Sequence, residues 1–197
     1  YSQSKRNDFQ KPTVLINELK CPLESNGNVA FIGGGNYASR VLIPAFKKAG
    51  ANLTTIVTSG GISAVYHGKK NGFSIASTDM EQAMTAPTDT VVIATQHNLH
   101  ASQIIVALDK GRHVFVEKPL ALNLNDLKAI HESYHKSNGS LMIGFNRRFS
   151  PHIQKIKSLV GDASMNVIAT MNAGGIPPAV WVHDMEVGGG RIIGEAC

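Results

Sequence analysis

Hydrophobic positions along this chain switch repeatedly between a strand-like and a helical spacing. Residues 29–32 (VAFI) form a short apolar run, and Ala38, Val41, Leu42, Ala45, Phe46 and Ala49 follow at helical spacing, with Gly50 as the stop. The same alternation predicts strands at 53–57, 73–76, 90–94, 113–116 and 141–143. Between them it predicts a helix over 62–70 and one with Ala101, Ile104, Ile105 and Leu108 on its apolar face, ended by Gly111. Thr78-Asp79-Met80-Glu81 has the form of a capping box, in which Thr and Glu satisfy each other's backbone donors, so a short helix is expected there, ending by Pro87. Asn125 is expected to cap a helix that packs through Leu127, Ile130 and Tyr134 and stops at Gly139.

Strands separated by helices of this length must pair in parallel, with helices on both faces. Residues 28–147 therefore read as an α/β domain built on a doubly wound parallel sheet. Residues 1–27 carry charges, two prolines and one short apolar run, Val14-Leu15-Ile16, and read as a linker or approach arm. After Phe149-Ser150-Pro151 the rhythm breaks. Residues 148–197 read as the opening of an α+β open-sheet domain, with a helix over 153–160, a strand over 165–171 and the lone Trp181.

Gly33-Gly34-Gly35-Asn36-Tyr37-Ala38 fits the pattern GxGxxA and lies between the first strand and the first helix, the context in which that pattern signals a dinucleotide. Gly33 permits a tight turn, Gly35 lets backbone approach a pyrophosphate, and Ala38 lets helix and strand pack closely; the helix amides beyond, from Asn36 and Tyr37, are left for the anion. An acidic residue after the second strand would bind a free ribose 2′-hydroxyl, but Thr58 and Ser59 stand there. Their hydroxyls, the Gly60-Gly61 amides and Arg40 or Lys69 suit a 2′-phosphate, which favours NADP over NAD and argues against FAD.

Glu117-Lys118-Pro119 closes the fifth predicted strand, at the carboxyl edge where ligands of such sheets bind. A lysine there is either a surface cation or, when partly buried, a group that exchanges a proton with a substrate hydroxyl during hydride transfer. His97 and His100, near the end of the fourth strand, read equally as helix-cap or edge histidines and as cofactor-edge residues. Two further patterns read as coincidences. His131-Glu132-Ser133-Tyr134-His135 satisfies HExxH, but on an outer helix with no evident third ligand, so no metal is expected. Tyr66 and Lys70 mimic YxxxK, but lie too near the glycine motif, and Tyr66 reads as a packing residue.

Composition narrows the remaining classes. At 43% hydrophobic and 17% charged, the chain has the makings of an ordinary folded core. A net charge of +5 suits an anionic small ligand, and no nucleic-acid motif accompanies it. Every apolar run is too short for a bilayer, so no membrane partner is expected. Cys21 and Cys197 cannot form a disulfide framework, and no signal pattern precedes them, so a reducing cytoplasm is the default. Tyr1 at the start and Ile193-Gly194-Glu195-Ala196-Cys197 at the end are what a piece of a longer polypeptide would show.

GGGNYA, ATQHNLH, GRHVFVEKPLAL and GFNRRFSP, in this order, resemble the Gfo/Idh/MocA family of NAD(P)-dependent oxidoreductases from about Val29 to Arg191. More narrowly, IGGGNYASRVLIPAFKKAG, GGISAV and GGGRIIGEAC resemble the carboxyl-terminal half of bi-domain oxidoreductases whose first half is like a zinc-dependent alcohol dehydrogenase. The resemblance implies a Rossmann domain followed by an open-sheet α/β domain that covers the nicotinamide; the unpaired edge and apolar surface that the incomplete second sheet would expose lead to an expected association of copies through it. The resemblance also implies that Lys118 is the catalytic lysine, that Glu117 sits beside the cofactor, that Thr95 and His100 line the nicotinamide side, and that Asn146 and Arg147 lie at the domain junction. The substrate implied is a sugar, polyol or nucleotide-sugar. In the family a histidine from a GGGxxxDxxxH-like motif assists the lysine; here Gly188-Gly189-Gly190 begins that motif and Gly194 stands where the Asp is common. The expectation is a chain that binds dinucleotide and, by itself, turns over poorly. The rival expectations are a non-enzymatic cofactor sensor and an inactive cofactor-binding fragment.

Overall fold

A computed structural model describes residues 11–18, 27–85, 87–172 and 174–195. Seven strands form one sheet: β1 (Thr13–Leu15), β2 (Asn28–Ile32), β3 (Asn52–Val57), β4 (Ile75–Ser77), β5 (Thr90–Ile93), β6 (His113–Val116) and β7 (Leu141–Ile143). Their order is β1-β4-β3-β2-β5-β6-β7, parallel throughout except that β1 runs antiparallel to β4. The helices are α1 (Ile43–Lys48), α2 (Gly61–Asn71), α3 (Glu81–Met84), α4 (His97–Asp109), α5 (Leu124–Lys136), α6 (Pro151–Val160) and α7 (Gly190–Glu195).

Because successive strand residues point to opposite faces, the central strands build two cores at once. Ala30 and Ile32 of β2, Val91 and Ile93 of β5, and Val114 and Val116 of β6 face α4 and α5, where Ile104, Leu108 and Ile130 are buried against them. Val29, Phe31 and Val92 face the other way, toward Leu42, Ile43 and Phe73. On that side Phe31 meets Phe46 and Phe73 edge to face, with ring centroids 5.5 and 5.7 Å apart, and Phe46 meets Phe115 at 5.6 Å. Such pairs each add about 0.5–1.5 kcal/mol beyond their buried area.

Several expectations are corrected. The apolar run Val14-Leu15-Ile16 belongs to the sheet: β1 takes up the free edge of β4 and Ile16 packs on Gly68 of α2, so part of the predicted linker is an edge strand. The capping box does not form, since Thr78 Oγ1 donates to the Pro12 carbonyl and Asp79 Oδ1 accepts from Glu81 N–H at 3.0 Å instead. Asn123, not Asn125, caps α5, accepting from Asp126 N–H at 2.9 Å. That helix buries Ile130 and Ser133, whose hydroxyl donates to Asp109 at 2.6 Å, while Leu127 and Tyr134 are exposed. Tyr66 is exposed rather than packed. Among the described residues no strand lies beside 165–171 to satisfy their backbone, so they form no strand, and the second sheet through which copies were expected to associate is not formed there. Cys21 and Cys197 lie outside the described residues. No helix among them is long and apolar enough to cross a membrane.

Candidate active site

The strand order reverses between β2 and β5, whose successors run outward in opposite directions. Such a switch point leaves a crevice beyond the carboxyl ends of the two strands. A cavity of about 1090 Å3 occupies it.

Gly33 directly follows β2. Its φ of +104° is the left-handed side of backbone space, and a Cβ there would run into the Ala94 carbonyl at the end of β5. Gly34 is a requirement the pattern did not single out: a Cβ would stand 2.9 Å from the Thr58 methyl at the end of β3. Gly35 differs from both. Nothing lies within 4 Å of the place its Cβ would take, and the residue lines the cavity, so the space it leaves open belongs to the cavity. The helical run begins here, with Ser39 N–H donating to the Gly35 carbonyl at 2.9 Å, and the first amides of a helix have no partner within it. Its first part, Ala38–Leu42, is widened into a π turn in which Ile43 N–H donates to Ala38 O. Ala38 is buried, and Asn36 and Tyr37 line the cavity above it.

At the end of β3, Thr58 is buried and its hydroxyl is held inside the loop, 2.6 Å from the Gly60 carbonyl and 2.8 Å from Ser63 Oγ. Ser59 is exposed and lines the cavity, and α2 starts at Gly61 without a side-chain cap. Neither Arg40 nor Lys69 is among the lining residues. Thr95, after β5, donates to Gln103 Oε1 at 2.7 Å, a buried amide that the sequence pattern had not marked.

His100 is wholly buried, with Nδ1 2.7 Å from the Pro119 carbonyl and Nε2 3.3 Å from the Thr95 carbonyl. It ties the segment after β6 to the end of β5. Burial holds its pKa below the ordinary 6.5, against the pull of both carbonyls. Lys118 and Glu117 both line the cavity, and the Lys118–Pro119 peptide is cis. Glu117 packs its carboxylate on Gly144 after β7, where a Cβ would come within 2.8 Å of Oε1. Oε1 is buried without a hydrogen-bond partner among the described residues, and burial raises the carboxyl pKa, partly offset by the Lys118 amide and charge.

Residues 181–195 pack against lining residues of the cavity, and Trp181 itself lines it. Lys118 Nζ donates to the Gly194 carbonyl of α7, Asn98 N–H donates to Val187 O at 3.1 Å, and His97 Nδ1 lies 2.8 Å from Gly188 O. Trp181 meets the His97 ring edge to face at 4.8 Å. Elsewhere in the lining Asn146 donates to the Tyr37 hydroxyl at 2.6 Å, and Arg147 reaches Met171 Sδ at 3.5 Å. The structure thus brings Gly33, Gly35, Asn36, Tyr37, Thr58, Ser59, Thr95, His97, His100, Glu117, Lys118, Asn146 and Arg147 to one cavity. Sequence reasoning missed Gly34, Gln103 and Ser63. Only the run of three glycines carried a signal for any of them. His131 and His135 of the HExxH pattern stand exposed on α5 with Nε2 atoms 2.9 Å apart, and no group of three metal-ligating side chains occurs among the described residues.

The sequence profile of the Gfo/Idh/MocA oxidoreductase family, which has an NAD-binding Rossmann fold, matches residues 27–145. The chain belongs to this family. It is 34% identical over 98 residues to a myo-inositol 2-dehydrogenase of Thermotoga maritima, covering 49% of this chain and 29% of that protein. It is 26% identical over 187 residues to levoglucosan dehydrogenase of Pseudarthrobacter phenanthrenivorans, covering 86% of this chain and 48% of that one. Among solved structures, a levoglucosan dehydrogenase in complex with NADH and L-sorbose superimposes with a TM-score of 0.73 at 25% identity, covering 87% of this chain and 50% of that one. A 3-ketoreductase from Actinomadura kijaniata, in complex with NADP and TDP-benzene, shares the fold at a TM-score of 0.76 and 21% identity, over 87% of this chain and 54% of that one. The chain therefore spans about half, or less, of the length of these relatives.

Proposed function

We propose that this Gfo/Idh/MocA chain takes part in hydride transfer between a nicotinamide cofactor and a hydroxyl or keto carbon of a sugar, polyol or nucleotide-sugar. The observation that carries the reading is the convergence of the glycine turn and Lys118 on one cavity over the strand switch point. The residues fit a dinucleotide. Gly35 leaves open the space a side chain would fill, the helix amides beyond it are free for a diphosphate, and the unpartnered Glu117 Oε1 suits a hydrogen-bond donor. A nicotinamide held there would supply the hydride acceptor or donor. Lys118, held by the Gly194 carbonyl, exchanges a proton with the substrate oxygen, while Gly33, Gly34 and the Asn146–Tyr37 bond shape the wall that holds the cofactor. The relatives named above support the substrate class.

NADP is the proposed cofactor in preference to NAD. No carboxylate follows β3, and the exposed Ser59 and the uncapped start of α2 offer donors to a 2′-phosphate. The inward-turned Thr58 hydroxyl leaves that task to Ser59 and the amides. Calorimetric titration of both cofactors tests this, with tighter binding of NADP expected; a clear preference for NAD would remove the 2′-phosphate assignment. In a dehydrogenase assay on sugars and polyols, Lys118→Met is expected to abolish most turnover and to leave cofactor affinity within a few fold. Turnover near wild type would make Lys118 a surface cation.

A further inference from the structure

His97 is the first residue of α4 and is half-buried in the cavity wall. Its Nδ1 faces the Gly188 carbonyl at 2.8 Å, and a carbonyl only accepts, so Nδ1 carries the ring proton. Burial above all, and the nearby Lys118 charge, lower its pKa from 6.5 against the pull of the Gly188 carbonyl, and so favour the neutral imidazole. A neutral ring protonated at Nδ1 has a lone pair at Nε2. No described residue hydrogen-bonds that nitrogen, and it is not among the buried unpartnered atoms, so it is open to the cavity.

Two side chains share the wall with this acceptor. Trp181 stands at right angles to the ring, with an interplanar angle of 82°, and also lines the cavity. Lys118 shares the wall, and its ammonium is anchored on the carbonyl of Gly194, where an added Cβ would stand 3.4 Å from His97 Cε1. An acceptor, a cation with spare N–H donors and an indole together match a saturated ring that carries several hydroxyls. Hydroxyls supply donors and lone pairs, and the C–H face of the ring covers the indole.

We propose that His97 and Trp181 form the substrate end of this cavity, with His97 Nε2 accepting a hydrogen bond from a ring hydroxyl of a cyclic polyol other than the one at the reacting carbon. The inference rests on the oxidoreductase reading above. It adds a residue that selects substrates with a second hydroxyl, which a surface or capping histidine would not do.

Trp181 is the sole tryptophan of the chain, so its emission reports on this end of the cavity directly. With cofactor present, myo-inositol titrated into the full chain should shift that emission, and cyclohexanol, with one hydroxyl, should bind at least tenfold more weakly. His97→Ala should weaken myo-inositol roughly tenfold, the loss of one hydrogen bond in a desolvated site, and His97→Gln, which keeps an acceptor, should recover part of it. In protein labelled with 15N-histidine, His97 should be protonated at Nδ1, and its Nε2 resonance should move when myo-inositol is added. Equal binding of the two probes, an Nε2-protonated tautomer, or an Nε2 resonance that stays put while Trp181 responds would each overturn the proposal. A separate titration of the cofactor alone distinguishes the two levels. No cofactor binding defeats the oxidoreductase reading, whereas cofactor binding with an unresponsive His97 defeats only this inference.

Discussion

Gly33 and Gly35 stand two residues apart in the glycine turn, yet the physical demands on them differ. Gly33 combines a positive φ with backbone contact to Ala94, so Gly33→Ala must distort the turn. A cost of about 2–3 kcal/mol is expected, lowering Tm by roughly 4–12 °C in a thermal melt of a chain this size. Gly35→Ala meets nothing in the protein. Its Tm should stay within about 2 °C of wild type, a surface-like effect of about 0.5 kcal/mol or less, while cofactor affinity in calorimetry falls at least tenfold. Titration adds a second residue-scale signature. His97 and His100 have pKa values held below 6.5, so their stabilising contribution is present above that pH and lost as pH falls through their folded values. Glu117 is displaced the other way, upward from 4.5. Its contribution is complete below about 4.5 and is lost as pH rises through its folded value. Replacement by Gln should therefore raise Tm relative to wild type by more at pH 7 than at pH 4.5, read from melts across that range.

Among elements, β1 depends least on its own sequence. Three residues cannot make a strand by propensity, and Val14 and Leu15 remain exposed after pairing. What holds the segment is the open edge of β4. Thr78 N–H donates to Pro12 O, Ile16 N–H donates to Ser74 O at 2.8 Å, and Thr13 and Ser77 share a hydroxyl contact at 2.8 Å. Ile16 then fills the space over Gly68, where α2 has no side chain. Ile16→Ala should cost about 1–2 kcal/mol, less than a fully buried isoleucine because Ile16 is only partly covered, and should lower the urea midpoint without changing the slope. A change in the slope would mean that β1 unfolds separately from the sheet.

Across the whole molecule, burial is uneven. The sheet and its flanking helices up to β7 contain nearly all the buried apolar residues, whereas Ile153, Ile156 and Leu159 of α6 and Val167 and Ile168 beyond it are exposed. Exposed apolar side chains in such number mark an association site or an aggregation liability where they cluster. Sedimentation velocity is expected to show concentration-dependent self-association, and Ile156→Glu with Leu159→Lys is expected to reduce it. An unchanged monomer across the concentration range would show that this surface does not self-associate.

The two spacings of apolar residues determined the central architecture without any tertiary information, because parallel strands buried on both faces and helices buried on one leave different periods in the chain. VAFI, TVVIA and HVFV became β2, β5 and β6, and the glycine turn and EKP fell at their carboxyl ends, where the topology must place a ligand. Other features had no local signal. The strand nature of residues 13–15 depends on an edge presented by residues some 60 positions away. The cap of α5 was decided between two asparagines by where the chain enters the helix. Residues 165–171 have strand-like composition and form no strand, since a strand is defined by its neighbour and none lies beside them among the described residues. The need for Gly34 and the orientation of His97 toward Gly188 join groups distant in sequence, and the partnership of Thr95 with Gln103 crosses from the end of a strand to the following helix. Local pattern reports what one segment prefers to bury. Which atoms a side chain meets is decided only when separate segments pack, and that is where the substrate end of this cavity acquires its chemistry.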